Sequence, residues 1–312
     1  MSQPQRIKGV LSPVITPFKE DLSADPQRFV EQCKWLLTQN CGLAVFGTNS
    51  EANSLSVNER IALLDALLAA DVDASRMMPG TGCCALTDTV RLTEHAVKGG
   101  CAGVLMLPPF YYKDVSEDGL FRSFAEVVER VGDTRLRIYL YHIPPVAVVG
   151  ITPKLVERLL KAYPTAIAGM KDSSGDWSNT KKFLDAFAKS GFDVFVGSES
   201  FLLANMRENG AGCISATANV NPGPIDKLYR EWRNADAPEQ QETLNAIRKA
   251  TGQYVMIPAL KAVVAHYSKD PAWMTVRPPL VALSKEQAQK VIDDLKGLGF
   301  EMPGLRREAI TA

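Results

Sequence analysis

Short apolar segments alternate with longer amphipathic segments along most of the chain. The apolar segments are rich in β-branched residues, which is typical of strands that are buried on both faces of a parallel sheet. We predict strands at residues 9–16, 42–47, 77–80, 102–107, 136–143, 166–171, 193–197 and 212–215. Between the strands, apolar positions recur with helical spacing, which predicts helices at residues 25–38, 57–70, 87–98, 117–131, 153–163, 177–189 and 200–209.

This alternation recurs about every 30 residues and predicts an α/β fold, a closed parallel (β/α)8 barrel or TIM barrel. An open doubly wound sheet is the alternative, but it usually has a glycine-rich phosphate loop after its first strand, and this chain has none there. The pattern ends near Asp236, and further helices are predicted at residues 238–251, 257–267 and 284–298. We therefore predict a barrel over residues 1–236 and a C-terminal helical extension, packed on the barrel, over residues 237–312. A separate small domain is the alternative for the second part.

Composition and charge narrow the class of protein. The chain of 312 residues has 35 basic and 35 acidic side chains, and without a long basic tract it has no sign of a nucleic-acid partner. No apolar segment is long enough to span a membrane, and the N-terminus lacks the apolar segment of a signal peptide. The six cysteines include no C-x-x-C pair, which favours reduced thiols. We expect a soluble cytoplasmic protein.

Candidate chemistry lies where the predicted strands end, because barrels of this type build their active sites there. Lys171 closes the apolar segment A-I-A-G-M at the end of the sixth predicted strand. Partial burial disfavours the ammonium form and so favours the free amine that attacks a carbonyl. A lysine paired with Asp172 or another carboxylate is an equally good interpretation from position alone. Lys261 is a rival, but it lies on a predicted helix, where we expect structural burial of its stem.

Hydroxyl-bearing residues close two other predicted strands. Tyr141 lies one βαβ unit before Lys171, and its phenol can transfer protons, although a packed tyrosine is the more common role. Thr48 and Asn49 begin a loop that can bind a carboxylate or relay a proton, with a simple turn as an equal alternative. His142 adjoins Tyr141 and should point to the opposite face. The three histidines lack the spacing of metal ligands, so no metal site is predicted.

Six motifs occur in order and at barrel spacing. They are P-V-I-T-P-F at 13–18, G-T-N-S-E at 47–51, P-P-F-Y-Y at 108–112, Y-H-I-P at 141–144, G-M-K-D at 169–172 and G-C-I-S-A-T-A-N at 212–219. Together they resemble the dihydrodipicolinate synthase / N-acetylneuraminate lyase family of class I, Schiff-base-forming pyruvate aldolases and lyases. The resemblance extends from about Lys8 to beyond Asn221.

The resemblance implies a catalytic role for four residues. Lys171 would form the Schiff base with a 2-oxo acid, and Tyr141 would transfer the protons. Thr48 would join Tyr141 in a hydroxyl relay, which Tyr111 would complete by reaching into the site of a neighbouring subunit. The protonated imine would act as the electron sink, so that no metal or organic cofactor is needed.

The resemblance also implies substrate contacts and an assembly. Thr48 and Asn49 would bind the carboxylate of pyruvate, and the backbones of Gly197 and Ile214 would line the pocket. The partners would be pyruvate and an aldehyde, or a hydroxy-2-oxo acid that is cleaved into the two. The chain would assemble as a homotetramer, a dimer of dimers.

The chain departs from the family pattern at three positions. Asn49 and Ser50 replace the second hydroxyl residue and the glycine of the usual G-T/S-T-G-E loop. Val146 stands where a true dihydrodipicolinate synthase has an arginine that binds the carboxylate of its second substrate. We therefore predict a lyase of the aldolase type that is not a true dihydrodipicolinate synthase. A deoxy sugar-acid dehydratase that uses the same imine, and a 2-oxo-acid-binding barrel without turnover, are the alternatives.

Overall fold

A curled sheet of parallel strands forms the centre of the structure, a computed structural model that describes residues 6–305. Residues 1–5 and 306–312, which include the outer limits of both predicted domains, lie outside the described residues. The strands are β1 Gly9–Ser12, β2 Gly42–Leu43, β3 Val104–Met106, β4 Ile138–His142, β5 Ile167–Asp172, β6 Asp193–Val196 and β7 Gly212–Ile214. Their order in the sheet is β2-β1-β7-β6-β5-β4-β3.

The segment 77–80 connects the two edges of this sheet. Met77 forms a parallel bridge with Leu43, and Gly80 forms one with Leu105. The N–H of Leu105 also donates to the carbonyl of Pro79 at 2.8 Å. Pro79 has no N–H group to donate in return, so the third predicted strand is reduced to two isolated bridges. With these bridges the parallel sheet closes as a barrel, as predicted.

Helices follow the strands along the chain. They are α1 Pro26–Thr38, α2 Val57–Ala69, α3 Leu86–Lys98, α4 Glu117–Val131, α5 Pro144–Ala147, α6 Pro153–Ala162, α7 Trp177–Phe187, α8 Leu202–Arg207, α9 Pro222–Glu231, α10 Ala237–Thr251, α11 Met256–Ser268 and α12 Lys285–Gly297. No helix within residues 6–305 is both long and apolar enough to cross a membrane.

The helix boundaries follow local sequence signals. Ser56 and Glu59 form a capping box at the start of α2, as their spacing suggests. The sequence did not predict α9, because its opening P-G-P resembles a loop. Pro222 instead occupies a first-turn position, where its missing N–H has no cost and its fixed φ suits the helix. Helix α9 packs on β1 and α10, which joins the following helices to the barrel.

Two buried clusters fill the structure. The larger lies between the sheet and the helices. The smaller fills the barrel interior and includes Leu11, Tyr139, Tyr141, Phe195 and Ile214. Because these side chains fill the barrel interior, a small molecule can approach the strands only from their ends, and active sites of such barrels lie at the carboxyl ends.

Candidate active site

Lys171 and Tyr141 are paired residues on the neighbouring strands β5 and β4. Each is only 2% exposed. The Nζ of Lys171 lies 3.3 Å from the Oη of Tyr141 and 4.4 Å from the centroid of its ring. The two strands thus hold an amine and a phenol in direct contact at the end of the barrel.

The carboxylate of Asp172 does not pair with Lys171. It accepts hydrogen bonds from Ser174 N at 2.8 Å, Asn179 Nδ2 at 3.1 Å and Thr180 Oγ1 at 2.6 Å. Asp172 therefore anchors the loop and first turn of α7. Within residues 6–305, no carboxylate lies at ion-pair distance from Lys171, so the interpretation of a salt-bridged lysine is wrong.

Thr48 adds a second hydroxyl to the contact. It begins a short 3-10 turn, Thr48–Ser50, that follows β2. Its Oγ1 lies 3.2 Å from the Oη of Tyr141. Ser50 is fully buried and holds the turn, since its Oγ accepts from Gly47 N and its carbonyl accepts from Thr16 Oγ1. The departure at Ser50 thus preserves the turn, and Thr48, Tyr141 and Lys171 form a continuous polar chain.

A cavity of about 320 Å³ opens next to these three polar side chains. The sequence-predicted residues Thr48, Asn49, Tyr141, Lys171 and Gly197 line it. This volume is at the small end of ligand pockets and suits a short organic acid. A Cβ atom at Gly197 would overlap with the side chain of Ser173. Because Gly197 has no side chain, the loop after β5, which contains Ser173, can pack against the end of β6 at the cavity wall.

Two predicted site residues lie outside the cavity lining. Ile214 is fully buried inside the barrel on β7, and Ala216 lines the cavity just beyond that strand end. Tyr111 is 72% exposed and packs edge-on against Tyr112, with ring centroids 5.3 Å apart. Neither Ile214 nor Tyr111 contributes to the cavity within this single chain.

Arg248 is a cavity residue that the sequence did not predict. It lies on α10, and its Nη1 donates to Glu199 Oε2 at 2.9 Å and to Ser215 Oγ at 3.2 Å. Glu199 is buried and also accepts from Ser215 and Thr217. Arg248 belongs to an amphipathic helix rich in polar residues, so its sequence context resembles that of a solvent-facing charge.

His142 faces away from the cavity, as strand alternation predicts. Its Nδ1 accepts a hydrogen bond from Ile151 N at 2.9 Å. Burial lowers the pKa of His142, and the nearby Asp172 carboxylate partly opposes this shift. A neutral packed imidazole is the consequence. In the described part of the chain, no group of three or more His, Cys, Asp or Glu side chains is arranged to hold a metal ion.

The closed parallel sheet and the cavity at its strand ends define an α/β-barrel enzyme with a lysine in its candidate site. Residues 6–298 match the sequence model of the dihydrodipicolinate synthetase family. The chain belongs to this family and is a lyase of the dihydrodipicolinate synthase-like type, which confirms that prediction from the sequence.

Individual relatives cover nearly the whole chain. An uncharacterized DapA-like lyase of Chloroflexus aurantiacus is 32% identical over 283 residues, which are 90% of this chain and 93% of that protein. The crystal structure of dihydrodipicolinate synthase from Agrobacterium tumefaciens has a TM-score of 0.86 at 30% identity, covering 94% of this chain and 99% of that chain. The crystal structure of YagE from E. coli K12, in complex with pyruvate, also has a TM-score of 0.86, at 26% identity and with the same coverage.

Proposed function

We propose that this lyase forms an imine between Lys171 and a 2-oxo acid, and makes or breaks the bond between C3 and C4 of a hydroxy-2-oxo acid. The observation that carries this proposal is the chain of contacts from Lys171 Nζ to Tyr141 Oη at 3.3 Å, and from there to Thr48 Oγ1 at 3.2 Å. A buried amine beside a proton-transferring pair is the arrangement that carbinolamine and imine formation require.

The cleavage direction uses each of these groups. Lys171 attacks the C2 carbonyl and water leaves, with protons moved by Tyr141 and Thr48. Tyr141 then accepts the proton of the C4 hydroxyl, the C3–C4 bond breaks, and its electron pair enters the imine to give an enamine. The aldehyde departs, C3 is protonated, and water releases pyruvate from Lys171. Asn49 and Thr48 bind the substrate carboxylate. This scheme needs no metal or organic cofactor, because the lysine provides the covalent step.

The second substrate differs from that of a true dihydrodipicolinate synthase in this proposal. Val146 lines the cavity and is 61% exposed, so this position offers no positive charge. Arg248 offers one from another direction. Within residues 6–305, its Nε and Nη2 groups have no hydrogen-bond acceptor, while Nη1 is held by Glu199. We therefore propose a hydroxy-2-oxo acid whose far end carries an acceptor-rich or anionic group that Arg248 binds.

Borohydride trapping tests the proposed chemistry. The full-length protein is incubated with pyruvate, reduced with sodium borohydride and examined by intact mass and peptide mapping. We expect one reduced pyruvate adduct, on the peptide that contains Lys171. No adduct with pyruvate or with larger 2-oxo acids would overturn the proposal and favour a binding protein without turnover. With an adduct in hand, release of pyruvate from hydroxy-2-oxo acids indicates an aldolase, whereas loss of water with an intact carbon chain indicates a dehydratase.

Replacing Arg248 with methionine tests the distal contact. We expect KM for the hydroxy-2-oxo acid to rise by about 10- to 100-fold, because the substrate loses one charge-assisted hydrogen bond. Trapping of pyruvate should be unchanged, because in this proposal Arg248 binds only the far end of the longer hydroxy-2-oxo acid. Arg248→Lys should recover part of the loss, and Arg230→Met, on the outer face of α9, is the matched control. An unchanged KM in Arg248→Met would assign the arginine to the support of Glu199 alone.

We further propose a homotetramer built as a dimer of dimers, as the family resemblance implies. From the cysteine usage and the pattern of strands and helices we also propose a cytoplasmic location, with the barrel at residues 1–236 and the helical extension at residues 237–312. The wide exposure of the adjacent rings of Tyr111 and Tyr112 supports a subunit contact at this loop. The free thiols of the cysteines support a reducing compartment. Sedimentation velocity measures the assembly directly.

A further inference from the structure

The turn that carries Thr48 and Asn49 ends in an unfavourable backbone conformation. Glu51 has φ 55° and ψ 34°, the left-handed region that residues other than glycine seldom occupy. Its N–H donates to Thr48 O at 3.1 Å, and the next N–H, of Ala52, donates to Gly47 O at 3.3 Å. The position of Thr48 thus depends on interactions that hold Glu51 in place.

The side chain of Glu51 supplies such an interaction. It is 1% exposed, and its Oε1 lies 2.5 Å from the Nζ of Lys261, which is fully buried. Glu51 Oε2 also faces the backbone N–H of Arg277, at 3.4 Å. Two opposite charges are therefore held together away from water.

Further contacts hold the ammonium group of Lys261 in place beside Glu51. Its Nζ donates to Thr275 O at 2.9 Å and lies 4.4 Å from the centroid of the Phe18 ring. Burial lowers the pKa of Lys261 to about 8, and the Glu51 carboxylate opposes this shift. Removing one partner of such a pair leaves an uncompensated buried charge, which is strongly unfavourable.

The pair connects two parts of the chain that are far apart in sequence. Lys261 lies on α11, and Met256 at the start of this helix lines the cavity. Glu51 directly follows the turn that bears Thr48 and Asn49. Neither charged residue lines the cavity, and neither has a part in the proposed reaction. A buried ion pair at this point is suited to fix the position of the 48–50 turn relative to α11.

We propose that Glu51 and Lys261 are positioning residues, which hold the 48–50 turn so that Thr48 Oγ1 meets Tyr141 Oη and Asn49 faces the substrate carboxylate. This inference rests on the proposed function, which assigns roles to Thr48 and Asn49. It adds that a helix of the C-terminal part of the chain, α11, holds the turn that carries these two residues. Loss of the pair lets Glu51 relax from its left-handed conformation and moves the hydroxyl of Thr48 away from Tyr141.

The test compares Glu51→Gln, Lys261→Met and the double variant in the full-length protein. Glu51→Gln keeps the size of the side chain, and the double variant removes both charges and so avoids an unpaired buried ion. The control is Asp226→Asn, which breaks the ion pair of Asp226 with Arg230 at 2.7 Å on α9, away from the turn. Thermal unfolding checks that each variant is folded at the assay temperature.

The first readout is amide hydrogen exchange of peptides that span residues 47–55, without any ligand. We expect exchange at Glu51 and Ala52 to become at least tenfold faster in all three variants and unchanged in Asp226→Asn. Unchanged protection of this segment would overturn the positioning role. This readout does not depend on imine formation, so it decides the inference even if the unchanged protein gives no adduct with pyruvate.

The second readout is the pyruvate concentration that gives half-maximal borohydride trapping. We expect it to rise at least tenfold in the single variants and to stay raised in the double variant, even where the double variant recovers thermal stability. A double variant that recovers both stability and pyruvate trapping would show that the pair serves stability only, and would overturn the proposal.

Discussion

Replacing Lys171 with methionine abolishes the borohydride adduct with pyruvate and lowers turnover by on the order of 10⁴-fold or more, because the covalent route is lost. The same change leaves the free energy of unfolding equal or higher. Lys171 is buried, and no carboxylate among residues 6–305 pairs with it, so an uncharged stem of similar length removes a desolvation cost. Intact mass after trapping and urea denaturation measure the two effects.

Lys154 provides the matched control for this prediction. Its ammonium is largely exposed on α6, so Lys154→Met should keep the adduct and the activity. An adduct that persists in Lys171→Met would contradict the assignment and direct attention to another buried lysine. A large loss of stability in Lys171→Met would instead indicate a structural role for its ammonium group.

Replacing Tyr141 with phenylalanine lowers turnover by about 10²- to 10⁴-fold, the usual contribution of a positioned proton-transfer group. The adduct should still form at long incubation times, because Lys171 remains and water can carry protons slowly. The ring and its packing are retained, so the change isolates the hydroxyl that contacts Lys171 and Thr48. Steady-state kinetics and the time course of trapping measure the two effects.

Tyr139→Phe is the matched control for Tyr141→Phe. Tyr139 lies on the same strand, is fully buried, and does not line the cavity. Its loss of a hydroxyl should leave turnover close to that of the unchanged protein. Equal losses in both variants would point to packing of β4 rather than proton transfer, and full activity of Tyr141→Phe would remove this residue from the proton path.

The order of strands and helices could be predicted because short apolar segments alternate along the chain with segments whose apolar residues recur at helical spacing. The strand lengths could not, because they depend on backbone details that hydropathy does not encode. Residues 42–47 contain only a short strand, β2, since Phe46 adopts a left-handed conformation with φ 62°. Pro79 similarly limits the pairing of residues 77–80, although its carbonyl still bridges to Leu105.

The residues of the candidate site that lie at or just after the end of a strand could be predicted from the sequence. Lys171, Tyr141 and Thr48 each follow or close a strand, and a barrel brings such positions together. Arg248 could not be predicted, because its place in the cavity results from the docking of α10 on the barrel. Ile214 and Ala216 differ by two positions, and which of them reaches the cavity depends on the depth at which β7 ends.

The cavity wall also bears on how relatives of this protein can diverge. Lys171 and Tyr141 come from β5 and β4, whereas Arg248 and Met256 come from α10 and α11. Under the proposed function, substitutions in these two helices would therefore change the part of the cavity that binds the second substrate and leave Lys171 and Tyr141 unchanged. Exchanging the helices after residue 237 for those of a relative would, under the same proposal, keep the lysine and its hydroxyl contacts and change the wall that faces the far end of the substrate.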